Sequence, residues 1–184
     1  ILKSRSDNKA NQQANFSALR NYATYGTYNP TRNILSEQAL KAMNPQDLLT
    51  MLKSLKNYKM TVLYYGPSSL KAIDQLVTKT VQSPKTFAVV PAQKRYVEQT
   101  TPKNEVVIAP YDAKNIYMVQ LHNENQEWSA DRAPVIALFN EYFGGSMNAI
   151  VFQELREARG LAYSAFARYD EPYRLGDKES FYTY

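Results

Sequence analysis

Arg156 and Tyr163 are the two side chains whose types and spacing are best suited to chemistry in this sequence. Arginine offers a forked, permanently charged set of N–H donors, and tyrosine offers a rigid hydroxyl. Gly160 lies between them and can end a helix carrying Arg156 before a strand carrying Tyr163. The two groups could then meet at a peptide carbonyl or a developing oxyanion. From the residues alone the plainer alternative is the commoner one, in which Arg156 pairs with a helix carboxylate and Tyr163 is buried.

Most other catalytic chemistries lack the residues they need. The 184 residues include no cysteine and a single histidine, His122. A thiol nucleophile, a disulfide framework, a Cys-based zinc site and an iron–sulfur cluster are therefore excluded. A catalytic zinc site takes about three protein ligands with histidine prominent, and a serine triad would depend on His122 as its base. We therefore predict no metal site in this chain and interpret His122 as a polar residue at a strand end.

The pair Gly144-Gly145 before Ser146 resembles half of a phosphate-binding loop. The Gly-Lys-Ser/Thr that should follow is missing, and the segment joins two predicted helices rather than a strand and a helix. A tight interhelical turn is the better interpretation. The helix after this turn is predicted to end at Gly160, and residues 161–169 and 179–184 to form strands. This order of helix, glycine stop and strand is what would bring Arg156 and Tyr163 together.

Upstream, capping residues predict two helices. Asn44 and Pro45 begin one, and Ser68 or Ser69 begins the other. The first helix carries an apolar stripe that we expect to be buried, formed by Leu48, Leu49, Leu52 and Leu55.

Three apolar runs in the same region predict strands. Residues 60–65 form a short strand ended by a Gly-Pro pair, and residues 105–109 and 115–122 are expected to pair antiparallel across a five-residue link. Together with the helices they predict an α+β fold, a mixed and largely antiparallel sheet with helices packed on one face.

Size and composition fit one globular domain over residues 1–184, with 44% hydrophobic and 21% charged residues. No apolar run approaches the roughly 20 residues of a membrane span. The net charge of +5 raises the question of nucleic acid, but the densest basic group is the pair Lys94-Arg95. We expect a solvated basic surface and no nucleic-acid partner, a basic nucleic-acid-binding module being the weakest of three hypotheses. Because the chain starts at Ile1 and stops within a predicted strand, we expect a fragment of a longer protein.

Two segments resemble the pitrilysin/insulinase (inverzincin) family of zinc metallopeptidases. The first is Phe143-Gly144-Gly145-Ser146-Met147 followed by Gln153-Glu154-Leu155-Arg156-Glu157-Ala158-Arg159-Gly160-Leu161-Ala162-Tyr163-Ser164. The second is Asn44-Pro45-Gln46-Asp47-Leu48 followed by Tyr58-Lys59-Met60-Thr61-Val62-Leu63-Tyr64-Tyr65-Gly66. Together they span most of residues 44–169, and the longer signature is the more specific.

The resemblance implies a metallopeptidase half-domain of the LuxS/MPP-like fold, taken from the half that lacks the zinc motif. In the family, homologous halves close around a peptide, and one half carries a His-x-x-Glu-His zinc motif that is absent here. Zinc would then be bound outside this fragment, by the other half of the same chain or by a partner subunit. The resemblance implies that Arg156 and Tyr163 reach into the active site, hold the peptide substrate and help stabilise the tetrahedral intermediate. Arg159 does not match the family position, and we assign it to the helix C-terminus.

Two main hypotheses follow. In the first, the parent protein is a zinc-dependent metalloendopeptidase that degrades peptides, and this fragment alone neither cleaves peptides nor binds zinc tightly. In the second, the chain belongs to a non-catalytic structural or partner subunit of the same family.

Overall fold

The computed structural model of the protein describes residues 1–82, 84–172 and 176–184. The chain forms two compact units, one of residues 1–34 and 96–184 and one of residues 35–95. The elements in chain order are α1 (Leu2–Lys9), α2 (Gln12–Tyr25), α3 (Glu37–Lys41), α4 (Pro45–Ser54) with a 3₁₀ turn (Leu55–Asn57), α5 (Leu70–Thr80), β1 (Gln120–His122), α6 (Ala133–Phe143), α7 (Ile150–Phe152) with a π-helical extension (Gln153–Ala158), β2 (Ala167–Asp170) and β3 (Ser180–Thr183). The architecture is α+β, as the sequence predicts.

The larger unit contains a three-stranded antiparallel sheet in the order β1-β3-β2. Tyr182 of β3 lies opposite Leu121 of β1 on one side and opposite Arg168 of β2 on the other. The ladder continues past the strand ends, because Phe166 and Tyr184 exchange backbone hydrogen bonds of 3.0 and 2.8 Å. The predicted strands at 161–169 and 179–184 are therefore present in shortened form. The first begins only at Ala167, so the prediction that Tyr163 lies on a strand is wrong.

Helix α6 packs on one face of this sheet through aromatic side chains. Phe139 meets Tyr169 of β2 and Phe181 of β3 edge-on, with ring centroids 5.6 and 6.0 Å apart. The opposite face of β3 also receives side chains, because successive strand residues point to opposite faces. There the guanidinium of Arg20 on α2 lies 5.7 Å from the centre of the Tyr182 ring. Helix α6 thus forms the predicted helical layer, and α2 adds contacts on the other face.

The smaller unit contains the helices that capping residues predict. The Asn44 side chain accepts a hydrogen bond of 3.0 Å from the Gln46 N–H at the start of α4. The Ser69 hydroxyl accepts one of 3.3 Å from the Ala72 N–H at the start of α5. Each cap satisfies a backbone donor that the first helical turn leaves without a partner, which is a local effect visible in the sequence.

The predicted burial of the leucine stripe on α4 is wrong. Leu48, Leu49, Leu52 and Leu55 are exposed by 45%, 44%, 62% and 54%. An apolar stripe is buried where a second layer covers it. The predicted strand at 60–65 does not supply that layer, since its residues are exposed and make no strand ladder.

The predicted pairing of residues 105–109 with 115–122 is also wrong. Residues 105–119 form no strand, and the ladder begins at Gln120, where β1 pairs with β3 near the end of the chain. Apolar alternation indicates that a segment can join a sheet. Which strand it pairs with depends on packing with residues distant in the sequence.

None of the helices in the described ranges combines the length and the apolar character needed to cross a bilayer.

Candidate functional site

The helix that carries Arg156 is unusual at its C-terminal end. Helix α7 continues from Phe152 into a π-helical segment, Gln153–Ala158. Gly160 then takes a left-handed conformation, with φ at +58°, which a glycine adopts without strain. Its N–H donates to the Arg156 carbonyl at 3.0 Å, and the Leu161 N–H donates to the Leu155 carbonyl at 2.8 Å. The chain therefore reverses at Gly160, as the sequence predicts, and short π-helical segments are frequent at functional sites.

This reversal brings Arg156 and Tyr163 into contact. The guanidinium carbon of Arg156 lies 4.9 Å from the centre of the Tyr163 ring, within the range of a cation–π interaction. Tyr163 is 87% exposed, and the Arg156 side chain is 36% exposed. The alternative in which Tyr163 is buried is therefore wrong. Its other half is partly present, because Arg156 Nε lies 3.6 Å from Glu157 Oε1.

The backbone on both sides of the turn is anchored in the core of the larger unit. Leu155 and Ala162, which directly precede Arg156 and Tyr163, pack against a buried apolar cluster. This cluster consists of Val151, Ala165 and Ala167. Each of the two exposed side chains therefore projects from a backbone position whose neighbour is fixed by burial. Such anchoring is what a binding site needs in order to hold its groups in place.

Phe152 is a site residue that the sequence reasoning missed. Its ring centre lies 4.8 Å from the guanidinium carbon of Arg156, so the cation contacts two aromatic rings. The signal was available, because residues four apart on a helix are neighbours on its surface. As an apolar residue of this helix, Phe152 would be expected in the core; it is half-buried.

Arg159 and Gly144 lie at helix ends and have structural roles there. Arg159 lies at the end of the π-helical segment, 64% exposed, with its Nη2 3.4 Å from Glu154 Oε2. Gly144 ends α6, and its carbonyl accepts a hydrogen bond of 3.3 Å from the Ala167 N–H. A β-carbon on Gly144 would collide with the backbone of Ala167. Gly144 therefore allows the segment between α6 and α7 to pack closely against β2. This segment joins two helices, as the sequence predicts.

His122 lies at the end of β1, as predicted, and is partnered on both ring nitrogens. Nε2 lies 3.0 Å from Glu124 Oε1, and Nδ1 lies 3.3 Å from the Thr101 hydroxyl. Across the described ranges, no three His, Cys, Asp or Glu side chains group in a way that could hold a metal ion. A catalytic zinc ion does not fit the donors described here.

Arg156 on the π-helical segment and the exposed Tyr163 in the bend before β2 are therefore in contact across the turn at Gly160. Residues 42–184 match the family model described as the Peptidase M16 inactive domain. The chain therefore belongs to this peptidase family, the pitrilysin/insulinase family that the two segments resemble. Among curated proteins, none matches the chain.

Proposed function

We propose that this chain is the substrate-clamping half of a zinc-dependent metalloendopeptidase that degrades peptides. The observation that carries the proposal is the contact between Arg156 and Tyr163 on an open surface beside a fixed turn. Membership of the M16 family supports a peptidase parent. Zinc would be bound by the other half of the same chain or by a partner subunit, since the donors described here do not suit it.

The two side chains can act on the carbonyl of a bound peptide. The Arg156 N–H groups and the Tyr163 hydroxyl are hydrogen-bond donors, and a peptide carbonyl oxygen can accept from both. When the carbonyl carbon becomes tetrahedral, its oxygen gains negative charge. Hydrogen bonds from a charged donor then strengthen, and the fixed positive charge of Arg156 stabilises the intermediate more than the ground state.

The experiment is a comparison of two arginines in the complete peptidase, formed with the zinc-bearing half. Hydrolysis of a quenched fluorogenic peptide mixture of random sequence is measured for Arg156→Ala and for Arg159→Ala. Arg156 is partly exposed and Arg159 is exposed, and both lie near a helix carboxylate, so the second serves as the control. We expect Arg156→Ala to lower kcat/KM by about 10²-fold and Arg159→Ala to leave it near wild type. Equal rates for Arg156→Ala and the wild type would contradict the proposal.

The second hypothesis, a non-catalytic partner subunit, draws on the description of the matched family model as an inactive domain. It predicts that the complete wild-type assembly does not hydrolyse the peptide mixture at any zinc concentration. Zinc-dependent hydrolysis that a chelator abolishes would decide for the peptidase.

A further inference from the structure

Phe152 differs from Tyr163 in how firmly it is held, although both rings contact the same guanidinium. Their ring centres lie 4.8 and 4.9 Å from the guanidinium carbon of Arg156. Tyr163 is 87% exposed, whereas Phe152 is half-buried at the end of helix α7. The ring of Phe152 is therefore held in place by its burial, whereas the ring of Tyr163 faces solvent.

The surroundings of Arg156 also include a carboxylate that contacts its side chain. Glu157 lies on the same helical segment, with its Oε1 3.6 Å from Arg156 Nε. Both of these side chains are partly exposed, so the ion pair holds the guanidinium weakly. Stacking against an aromatic ring restricts the plane of the guanidinium while its N–H donors stay available at the edge. Phe152 can thus hold Arg156 without occupying the donors that a substrate would use.

We propose that Phe152 is a positioning residue for Arg156, which fixes the guanidinium in the orientation that receives a peptide carbonyl. This inference rests on the proposed function of Arg156. It adds that the orientation is set by an aromatic face on the same helix rather than by a carboxylate. Removing that face leaves Arg156 held only by its weak ion pair with Glu157 and by the exposed ring of Tyr163. A group that must be reoriented for each substrate is a poorer catalyst.

The test compares Phe152→Leu with Phe152→Tyr in the complete peptidase, again with the random fluorogenic peptide mixture. Leucine keeps an apolar side chain but lacks the ring, whereas tyrosine restores the ring. We expect Phe152→Leu to lower kcat/KM by about tenfold, the order of one cation–π contact, and Phe152→Tyr to stay within about twofold of wild type. Phe16→Leu is the matched control, because Phe16 is a partly buried phenylalanine that contacts other aromatic rings, at 5.4 Å from Tyr117.

A second measurement reports on the contact itself. Ring currents shift the NMR resonances of the Arg156 Hδ protons upfield when an aromatic face lies beside them. We expect part of this shift to disappear in Phe152→Leu, to remain in Phe152→Tyr and to be unchanged in Phe16→Leu. If Phe152→Leu does not fold, Phe152→Met replaces it in both measurements.

The outcomes separate the two proposals. Wild-type kcat/KM or an unchanged Hδ shift in Phe152→Leu, with Arg156→Ala impaired, would overturn the role of Phe152 and leave the proposed function standing. A wild-type rate in Arg156→Ala would overturn the proposed function, and the positioning role with it. An equal loss of rate in Phe152→Leu and Phe152→Tyr would also overturn the positioning role, because it would show that packing rather than the ring face matters.

Discussion

The carboxyl group of Glu98 lies half-buried among other charged side chains of the larger unit. Burial is the main reason why its pKa is raised above the ordinary value, and the charges of Asp170 and Asp177 raise it further. A hydrogen bond from Ser180 and the positive charge of Arg20 oppose the rise without cancelling it. The ionised form of Glu98 is thus less favourable in the folded protein than in the unfolded chain.

This environment predicts how stability depends on pH. A carboxyl whose pKa is raised by folding weakens the fold above that raised pKa, and the loss is regained as the pH falls towards its ordinary value of 4.5. We therefore expect Glu98→Gln to raise Tm at pH 7 and to make little difference at pH 4. The gain is under about 1 kcal/mol, because water screens a half-exposed carboxyl.

Thermal unfolding followed by circular dichroism from pH 4 to pH 7.5 measures this effect. Glu105→Gln is the control, since Glu105 is exposed and has Lys103 as its partner at 3.5 Å. A Glu98→Gln variant that tracks the wild type at every pH would show that this carboxyl does not limit stability.

The contact between α6 and β2 depends on one side-chain amide. Asn140 Nδ2 donates to the Tyr169 carbonyl at 3.0 Å, and its Oδ1 accepts from the Tyr169 N–H at 2.8 Å. The amide thereby satisfies both backbone groups of an edge-strand residue, much as a neighbouring strand would. The helix is thus joined to the sheet by hydrogen bonds as well as by aromatic packing.

We expect Asn140→Ala to lower the free energy of unfolding by about 1–3 kcal/mol, because two partly buried backbone groups lose their partner. Urea unfolding measures the change. Asn148→Ala, at an exposed position beyond the same helix, is the control. A midpoint for Asn140→Ala equal to that of the control would mean that water replaces the amide at no cost.

The turn after α6 allows a second test of this packing. A β-carbon at Gly144 would collide with the backbone nitrogen and oxygen of Ala167 and lie 2.6 Å from its Cα. We expect Gly144→Ala to destabilise the fold by about 1–3 kcal/mol, the usual cost of overpacking against a fixed neighbour. Gly66→Ala is the control in urea unfolding, because the new methyl group would meet the movable side chain of Tyr64. Similar losses in the two variants would argue against a rigid contact at Gly144.

Helices and strands were not equally predictable from the sequence. Helix α4 and the corner at Gly160 follow from signals within a few residues, an N-cap at Asn44 and a glycine that accepts a positive φ. Residues 60–65 and 105–109 have the composition of strands but no ladder, because a strand exists through a partner that local sequence does not name.

For the same reason, only part of the candidate site, the contact between Arg156 and Tyr163, could be predicted. The meeting of Arg156 and Tyr163 follows from a local turn, so their spacing and Gly160 indicated that it could occur. The resemblance to the peptidase family was needed to favour it over an ion-paired arginine and a buried tyrosine. The sequence gives no sign that the ring of Phe152 belongs to the site, since large apolar residues usually lie in the core. Its contact with a cation depends on the side-chain direction of Arg156, which the sequence does not give.

The molecule consists of two compact units. The family match over residues 42–184 includes parts of both. A single domain over residues 1–184 stays a prediction. So does the absence of a nucleic-acid partner, although the protein carries a net charge of +5. The proposed function also requires that the catalytic zinc is bound outside this chain segment, by the other half of the peptidase or by a partner subunit.

We therefore expect calorimetric titration of this chain with zinc chloride at pH 7 to show no binding tighter than about micromolar, because no three His, Cys, Asp or Glu side chains among the described residues are grouped so that they could hold a metal ion. His122→Gln is the companion variant and should give the same titration. Tight, stoichiometric binding that disappears in His122→Gln would place a metal site in this half and contradict the proposal that zinc is bound by the other half.

The central claim is that Arg156 and Tyr163 act together on one carbonyl, and a double-mutant cycle in the complete peptidase tests it most directly. The values of kcat/KM for peptide hydrolysis are compared among the wild type, Arg156→Lys, Tyr163→Phe and the double variant. We predict single losses of about 10- to 10²-fold and a double loss clearly smaller than their product, because groups that serve one oxygen are coupled. Wild-type rates in both single variants, or losses that multiply in full, would contradict the claim.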